Sequence, residues 1–186
     1  GLLNADEIDA LVEEIHARSE GESRKATGTA ANNLDIYQIN CTFYSALAKN
    51  DNDYLLSRLI QFICPGVPQV YYVGLLAGEN DMDLLQNTQV GRDFNRHYFT
   101  QQEVSDEAQR EVVRHLFSLI RFRNTHPAFS GVFNLMDSRD DQLKVTWVSG
   151  SDILDIEIDL SARSFTLTSS TNGVEEHVYR DWAELD

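Results

Sequence analysis

Apolar side chains recur at helical spacing in three segments of the chain, each bounded by residues that start or stop helices. The first segment follows Asn4, an N-cap candidate with Glu7 three residues later at the capping-box position. The second starts at Asp51 or Asn52, and the third starts near Ser105. Three amphipathic helices are therefore predicted, with these apolar positions: Ile8, Leu11, Val12 and Ile15; Leu55, Leu56, Leu59, Ile60 and Ile63; Val112, Val113, Leu116, Phe117 and Ile120.

The residues around these helices lead to further predictions. Residues 20–33 are rich in Gly, Ser, Thr, Ala and Asn, which predicts an extended loop. Residues 34–47 are mixed in character, and we expect them to end in a short helix. Arg121 and Arg123 lie near the end of the third predicted helix, where positive charges interact favourably with the helix dipole.

The stretch from Pro65 to His97 combines a short apolar run with a long polar one. The run 69–73 reads as a buried strand that directly follows the second helix, and residues 74–97 read as a polar loop. Helix, short turn, strand and long loop form the repeating unit of a parallel α/β sheet. In such folds the loop after a strand carries the ligand-binding side chains.

After Ser130 the period of the pattern changes to two. Leu154, Ile156, Ile158 and Leu160 alternate with acidic residues, which predicts a half-buried strand. Further strands are predicted at 132–136, 143–148, 164–168 and 177–182, with turns at 140–141 and 171–173. This region is therefore expected to form a small antiparallel β domain, and its acidic stripe is interpreted as a solvated sheet face.

Composition excludes several classes of protein. A hydrophobic share of 42% is enough for a core, and the net charge of −15 argues against a nucleic-acid surface. No apolar run reaches the roughly 18–20 residues of a membrane span, and the N-terminal residues do not match a signal peptide. Cys41 and Cys64 lie in apolar contexts, so we expect two buried free thiols in the cytoplasm.

Several residues are candidates for chemistry. Glu79 and Asp81 could form a carboxylate pair, although a polar turn is the simpler interpretation, and the scattered histidines do not form a metal site. Arg92 is the best candidate, because its planar guanidinium can bind sugar hydroxyls, a carboxylate or a phosphate. Tyr37 and Gln38 join an aromatic face to an amide, which is typical of sugar or anion recognition, but a packed Tyr with its hydroxyl satisfied explains the spacing equally well.

Three contiguous motifs resemble the C-terminal third of the sucrose phosphorylases, which belong to the α-amylase-like glycoside hydrolase family 13. The motifs are Asn33–Asn40, Pro65–Asp81 and Gly91–His97. Residues 1–128 carry the resemblance, whereas the β domain is similar to the C-terminal domain of the family only in type. Sucrose 6′-phosphate and glucosylglycerate phosphorylases carry nearly the same motifs, so the resemblance leaves them open as alternatives.

The resemblance implies a fold that is α/β plus all-β. It is the C-terminal part of a (β/α)8 TIM barrel with an inserted loop subdomain, followed by a small antiparallel β domain. Residues 1–48 would be the excursion after the seventh barrel strand, 49–128 the last part of the barrel, and 129–186 the β domain. Within the barrel part, residues 69–73 would be the eighth strand.

The resemblance also implies a reaction, the retaining transfer of glucose from sucrose to inorganic phosphate, which yields glucose 1-phosphate and fructose. Arg92 matches the arginine that grips the hydroxyls of the donor glucose. Asp35, Tyr37 and Gln38 match a mobile loop at the acceptor site, where Tyr37 would help to admit phosphate and Gln38 would contact the acceptor sugar. Arg96 and His97 belong to the third motif without an implied contact to substrate.

The catalytic carboxylates of the family precede the matched region, so we expect none among these residues, and the isolated chain is expected to be inactive. No metal or other cofactor, nucleic acid or membrane is expected as a partner. A homodimer of the full-length protein stays open. The rival interpretation from another functional class is a non-catalytic carbohydrate-binding or interaction protein, although a single barrel strand would leave much apolar surface exposed.

Overall fold

The computed structural model describes residues 2–28 and 33–185, without the side chains of residues 174–176. In chain order its helices are α1 (Ala5–Arg18), α2 (Glu22–Thr27), α3 (Phe43–Ala46), α4 (Asp51–Ile63), α5 (Tyr72–Leu75), α6 (Met82–Thr88), α7 (Gln101–Glu107) and α8 (Glu111–Thr125). Its strands are β1 (Val132–Met136), β2 (Gln142–Ser149), β3 (Asp152–Asp159), β4 (Ser164–Thr171) and β5 (Val174–Tyr179).

The chain divides into two compact units. The first takes Gly1–Tyr54 and Val70–Arg110, and the second takes Leu55–Gln69 and Glu111–Asp186. The predicted domain boundaries at residues 48 and 128 are drawn on a different basis, and they stay a prediction.

The first unit is helical, and its elements begin where capping side chains are available. The predicted capping box of α1 is confirmed, because Asn4 Oδ1 accepts a hydrogen bond from the amide of Glu7, whose carboxylate accepts one from the amide of Asn4. Tyr54 and Phe94 are fully buried in this unit. The edge of the Tyr54 ring meets the rings of Phe43 and Tyr44.

The prediction of an extended loop over residues 20–33 is wrong for the part that the structure describes, because α2 occupies Glu22–Thr27. Residues 29–32 lie outside the described part. The polar sequence of α2 forms a helix because the buried Ser23 and Ala26 pack inward, while Arg24 pairs with Glu13 of α1 at 2.7 Å. The short helix expected at the end of residues 34–47 is present as α3.

The strand predicted at 69–73 is not formed. Residues 69–71 are irregular and Tyr72 starts the single turn α5. A β-strand is stable only when a neighbouring strand pairs with its backbone, and within the described residues strand pairing is confined to the five-stranded sheet. The predicted loop after this run is also partly wrong, because it contains α6.

The second unit packs an antiparallel sheet against helical residues. The strand order is β1-β2-β3-β4-β5, and every neighbouring pair is antiparallel. The predicted alternation is confirmed over most of its length, since Leu154, Ile156 and Ile158 are buried while Asp155 and Glu157 are exposed. It is wrong for Leu160, which follows the end of β3 and is exposed. The strand predicted at 177–182 is only partly correct, because β5 stops at Tyr179, before Trp182.

The turns of the sheet follow residue chemistry. Asn172 and Gly173 both have positive φ, at 56° and 69°, which is the backbone of a type I′ hairpin. Glycine takes this conformation freely because it has no Cβ, and asparagine tolerates it better than most residues, so the prediction of a turn at 171–173 is confirmed.

The third predicted helix is in fact two helices. α7 ends at Glu107, α8 begins at Glu111, and a capping box of Thr100 and Glu103 starts α7 ahead of the predicted Ser105. Val112, Val113 and Leu116 are buried as predicted, whereas Phe117 is 36% exposed.

The thiols also differ from expectation, because Cys41 is half-buried and Cys64 is exposed.

Candidate functional site

A cavity of about 860 Å³ in the first unit is lined by all four predicted binding residues. We call it the Arg92 cavity. Its walls are formed on one side by residues 25–28 and 35–40 and on the other by residues 82–92. Its polar and charged lining residues include Lys25, Asp35, Tyr37, Gln38, Asn40 and Arg92.

The first wall rests on a buried hydroxyl network between α1 and α2. Ser23 Oγ lies 2.6 Å from Nδ1 of His16 and accepts a hydrogen bond from Ser19 Oγ at 2.7 Å. All three side chains are buried, and burial lowers the pKa of His16 below its ordinary value, with the positive charge of Arg24 adding to the effect. The imidazole is therefore neutral near pH 7, and it fixes α2 at the edge of the cavity.

The segment that carries Asp35, Tyr37 and Gln38 is attached at both ends. At its start, the side-chain amide of Asn33 donates to Asp9 and Glu13 of α1 at 2.9 and 2.8 Å. The Tyr37 side chain itself is 93% exposed, so the alternative interpretation of a packed tyrosine is wrong. The aromatic face and hydroxyl of Tyr37 are free to contact a ligand.

Asn40 closes this segment at its far end. Its Oδ1 accepts from Gln38 Nε2 at 2.9 Å, its Nδ2 donates to the carbonyl of Ala26 at 2.9 Å, and its amide donates to Thr27 Oγ1 at 3.1 Å. The asparagine thereby ties Gln38 to the end of α2. The sequence motif contains Asn40, but its structural role was missed, because residues 25–27 were predicted as a loop.

The second wall presents Arg92 between a tight turn and a buried anchor. Gln89 takes a positive φ of 58° at the end of α6, and Phe94, in the 3₁₀ turn that follows Arg92, is fully buried. The carbonyl of Phe94 accepts from the amide of Asp81 at 2.8 Å, which returns the chain to the start of α6. Arg92 is therefore held by its backbone, while its side chain stays exposed at the cavity.

The charge of the Arg92 cavity contrasts with that of the protein. Among its described lining residues, Lys25 and Arg92 are positive and Asp35 is the one carboxylate. A site with two cations in a chain of net charge −15 favours an anionic or hydroxyl-rich ligand. Two carboxylates are needed for the usual hydrolysis or transfer of a glycoside, and these lining residues offer one.

The alternative of a catalytic pair at Glu79 and Asp81 is not supported by their contacts. Glu79 forms an ion pair with Lys49 at 2.7 Å. Asp81 Oδ1 caps α6 by accepting from the amide of Leu84 at 2.7 Å, and its Oδ2 lies 2.6 Å from Nδ1 of His97. The polar turn that the sequence favoured is therefore the better description of these residues.

His97 links the starts of two helices. Its Nδ1 meets Asp81, the cap of α6, and its Nε2 lies 3.3 Å from Oε1 of Glu103, which belongs to the capping box of α7. Burial lowers the pKa of His97, but the hydrogen bonds and negative charges of Asp81 and Glu103 outweigh it and raise the pKa above the ordinary 6.5. His97 thus stabilises the loop that carries Arg92, and it does not line the Arg92 cavity.

The described part of the chain contains neither a candidate metal site nor a candidate membrane-spanning helix. Its His, Cys, Asp and Glu side chains do not gather in any group of three that could hold a metal ion. Its helices are all too short or too polar to cross a membrane.

Comparison with known proteins gives a consistent answer. The chain is 52% identical over 170 residues to a sucrose phosphorylase of Agrobacterium vitis, covering 91% of this chain and 35% of that protein. It is 51% identical over 147 residues to a sucrose phosphorylase of Bifidobacterium adolescentis, covering 79% of this chain and 29% of that protein. No family model matches the chain.

A solved structure supports the same relationship. The crystal structure of sucrose 6F-phosphate phosphorylase from Thermoanaerobacter thermosaccharolyticum matches with a TM-score of 0.88 and 38% identity, over 97% of this chain and 36% of that one. This match confirms the predicted fold class. The chain spans about a third of the length of the curated relatives named above. By sequence and by fold, the chain is therefore similar to about a third of the length of the two sucrose phosphorylases and of the sucrose 6F-phosphate phosphorylase.

Proposed function

We propose that the whole gene product containing this chain is a retaining glucosyl-transferring phosphorylase. It converts sucrose and inorganic phosphate to α-D-glucose 1-phosphate and fructose. The chain described here is its C-terminal portion and supplies binding residues. The carboxylates that break the glycosidic bond come from the rest of the protein, so the chain alone is inactive.

The observation that carries this proposal is the convergence of Asp35, Tyr37, Gln38 and Arg92 on the Arg92 cavity. They come from two segments that are far apart in the sequence, and packing brings them to one opening. Similarity to sucrose phosphorylases supports the choice of substrate, since two of these proteins exceed 50% identity to the chain.

Each residue has a role that its chemistry allows. Arg92 donates hydrogen bonds to the hydroxyls of the donor glucose through its fixed guanidinium fork. Asp35 accepts hydrogen bonds from sugar hydroxyls. Gln38 both donates to and accepts from the acceptor sugar, and the exposed Tyr37 donates its hydroxyl to phosphate and stacks its ring on a sugar face.

These residues act by binding and orienting, which lowers the entropic part of the barrier. In the retaining reaction, a carboxylate attacks the anomeric carbon and fructose leaves. Phosphate then takes the place of fructose and attacks the same carbon, which breaks the bond to the carboxylate and forms glucose 1-phosphate. Lys25 and Arg92 give the Arg92 cavity the positive charge that favours phosphate over water in this second step.

The test is to incubate the whole gene product with sucrose, with and without inorganic phosphate, and to separate the products by chromatography. We expect glucose 1-phosphate and fructose to form only when phosphate is present. Free glucose as the main product under both conditions would overturn the proposal.

A second candidate is a phosphorylase with a phosphorylated acceptor. The structural match to a sucrose 6F-phosphate phosphorylase favours it, and so does Lys25, which adds a cation to the lining of the Arg92 cavity. An acceptor panel of fructose, fructose 6-phosphate and glycerate, run in the synthetic direction from glucose 1-phosphate, separates the candidates. We expect fructose to be the best acceptor, and a preference for fructose 6-phosphate would select the second candidate.

We further propose that the reaction takes place in the cytoplasm. Cys41 and Cys64 are both free thiols, which suits a reducing compartment. The test is fractionation of the source cells, and we expect phosphorylase activity in the cytoplasmic fraction.

A further inference from the structure

Asn40 is a buried polar residue at the junction of the two walls of the Arg92 cavity. Its side chain is only 8% exposed, and both ends of its amide are used. Oδ1 accepts from Gln38 and Nδ2 donates to the carbonyl of Ala26, each at 2.9 Å. A buried amide whose donor and acceptor are both satisfied fixes the position of every group that it binds.

The second wall meets this amide at Gly91. A Cβ added to Gly91 would lie 2.2 Å from the carbonyl oxygen of Ala26 and 3.0 Å from Asn40 Nδ2. Only glycine allows the backbone to come so close, and the next residue is Arg92. The hydrogen bond between Asn40 and Ala26 therefore forms the surface on which the Arg92 segment rests.

We propose that Asn40 is a positioning residue that couples the acceptor segment 35–38 to Arg92, an inference that rests on the proposed function. It acts through Gln38 on one side and through Gly91 on the other, and it does not itself contact the glycosidic bond that reacts. The separation between the acceptor groups and the glucose-binding arginine is thus fixed by one side chain.

The chemistry of the side chain explains why asparagine is needed here. Aspartate has the same shape and keeps the acceptor for Gln38, but it replaces the donor to Ala26 with a carboxylate oxygen. Two acceptors would then face each other in a buried place, which is costly. Asn40→Asp is therefore a nearly isosteric variant that breaks one link and keeps the other.

The kinetic test uses the whole gene product and five variants: Asn40→Asp, Gly91→Ala, Asn134→Asp, Arg92→Ala and the Asn40→Asp/Arg92→Ala double variant. We expect Asn40→Asp and Gly91→Ala to lower kcat/KM for phosphorolysis by about 10²-fold, as a displacement of about 1 Å in a binding group does. The matched control is Asn134→Asp, at an exposed position on β1, which should change kcat/KM less than twofold. In an Arg92→Ala background, Asn40→Asp should cost far less than in the wild type, because the group that it positions is gone. Full additivity in that double variant would overturn the proposal.

Hydrogen–deuterium exchange of the whole gene product separates this inference from the proposed function, because it needs no activity. We expect Asn40→Asp to speed amide exchange at least tenfold in both 33–40 and 88–95, while Asn134→Asp changes neither. Faster exchange in only one segment, or in neither, overturns the coupling. If the wild type makes no glucose 1-phosphate, the proposed function falls, and exchange still decides whether Asn40 joins the two segments.

Discussion

At the scale of single residues, side chains that form hydrogen bonds with backbone groups hold the irregular segments of the first unit in place. Asn80 is an example outside the Arg92 cavity. It accepts from the amide of Thr42 at 2.8 Å and donates to Glu22 at 3.0 Å, while its own amide donates to Ser45 Oγ at 3.1 Å. Such residues provide hydrogen-bond partners for the backbone groups of irregular segments, which have no partners in a helix or a sheet.

Replacing Arg92 tests its proposed role in binding the donor glucose. In the whole gene product, Arg92→Lys keeps the charge but loses the planar fork, so we expect kcat/KM for sucrose to fall by about 10²-fold or more. Arg96→Ala is the matched control, since Arg96 is an exposed arginine of the same motif that does not line the Arg92 cavity, and it should change kcat/KM by less than about threefold. Steady-state kinetics at saturating phosphate gives both values. An unchanged kcat/KM in Arg92→Lys would remove Arg92 from the site.

The sequence named the residues of the Arg92 cavity, but it did not reveal what supports them. Asp35, Tyr37, Gln38 and Arg92 were inferred from motifs, and packing places them at one cavity. Asn40 could not be chosen in advance, because its partners are backbone atoms of a helix that the composition of residues 20–33 concealed.

At the scale of elements, neighbouring side chains cap the starts of α1, α6 and α7, whereas side chains from distant segments can cap a helix end. The C-terminal end of α4 is the clearest case, since Trp147 Nε1 donates to the carbonyl of Ile63 at 2.9 Å and Arg123 Nε donates to that of Phe62 at 2.6 Å. The Arg123 guanidinium also lies 4.2 Å from the centre of the Phe129 ring. The sequence prediction gave Arg123 a role at the end of its own helix, and the structure places it at the end of another.

Arg123→Met tests this cap. Methionine keeps much of the packing volume but leaves the carbonyl of Phe62 without its charged donor, so we expect the free energy of unfolding to fall by about 1–3 kcal/mol. Urea denaturation of the chain measures the change, and Arg121→Met, at an exposed position on the same helix, is the control, expected to stay within about 0.5 kcal/mol. Equal stabilities for the two variants would contradict the capping role.

The link between α6 and α7 through His97 predicts a dependence on pH. Both ring nitrogens can donate only when the imidazole is protonated, and the folded protein raises the pKa of His97 above 6.5. The stability from this link is therefore fully present below pH 6.5 and is lost as the pH rises through the higher folded pKa. We expect the difference in Tm between wild type and His97→Gln to be largest below pH 6.5 and to shrink at alkaline pH.

Differential scanning calorimetry across the pH range provides the measurement. His177→Gln is the matched control, because His177 is an exposed histidine in the other unit, and its Tm difference should not follow this pH course. A difference for His97→Gln that grows with pH would show that the neutral ring makes the stabilising contact.

Element prediction worked where the pattern reflects local burial and failed where it depends on distant partners. The alternation in β3 matches its buried and exposed positions, because that strand has a neighbour on each side. The run 69–73 is equally apolar, yet it forms no strand, because the described part of the chain provides no strand to pair with it. The prediction of a single helix from Ser105 did not include the break after Glu107. At this break Arg110 donates hydrogen bonds to the Glu107 carboxylate and to the carbonyls of Leu76 and Ala77.

At the scale of the whole molecule, the chain presents candidate binding groups at the Arg92 cavity, whose described lining includes a single carboxylate. It spans about a third of the sucrose phosphorylases named above. Several large apolar side chains are exposed, among them Val67 at 89% and Tyr98 at 72%. Apolar side chains exposed to this extent are typical of surfaces that pack against another part of a protein.

Phosphorolysis by the whole gene product is tested most directly by the initial rate of glucose 1-phosphate formation from sucrose, followed by ³¹P NMR. We expect the α-anomer to appear at a rate that depends on phosphate concentration, and we expect Arg92→Ala to lower this rate by about 10²-fold or more. Hydrolysis to free glucose with no phosphate ester, or an unchanged rate in Arg92→Ala, would contradict this expectation.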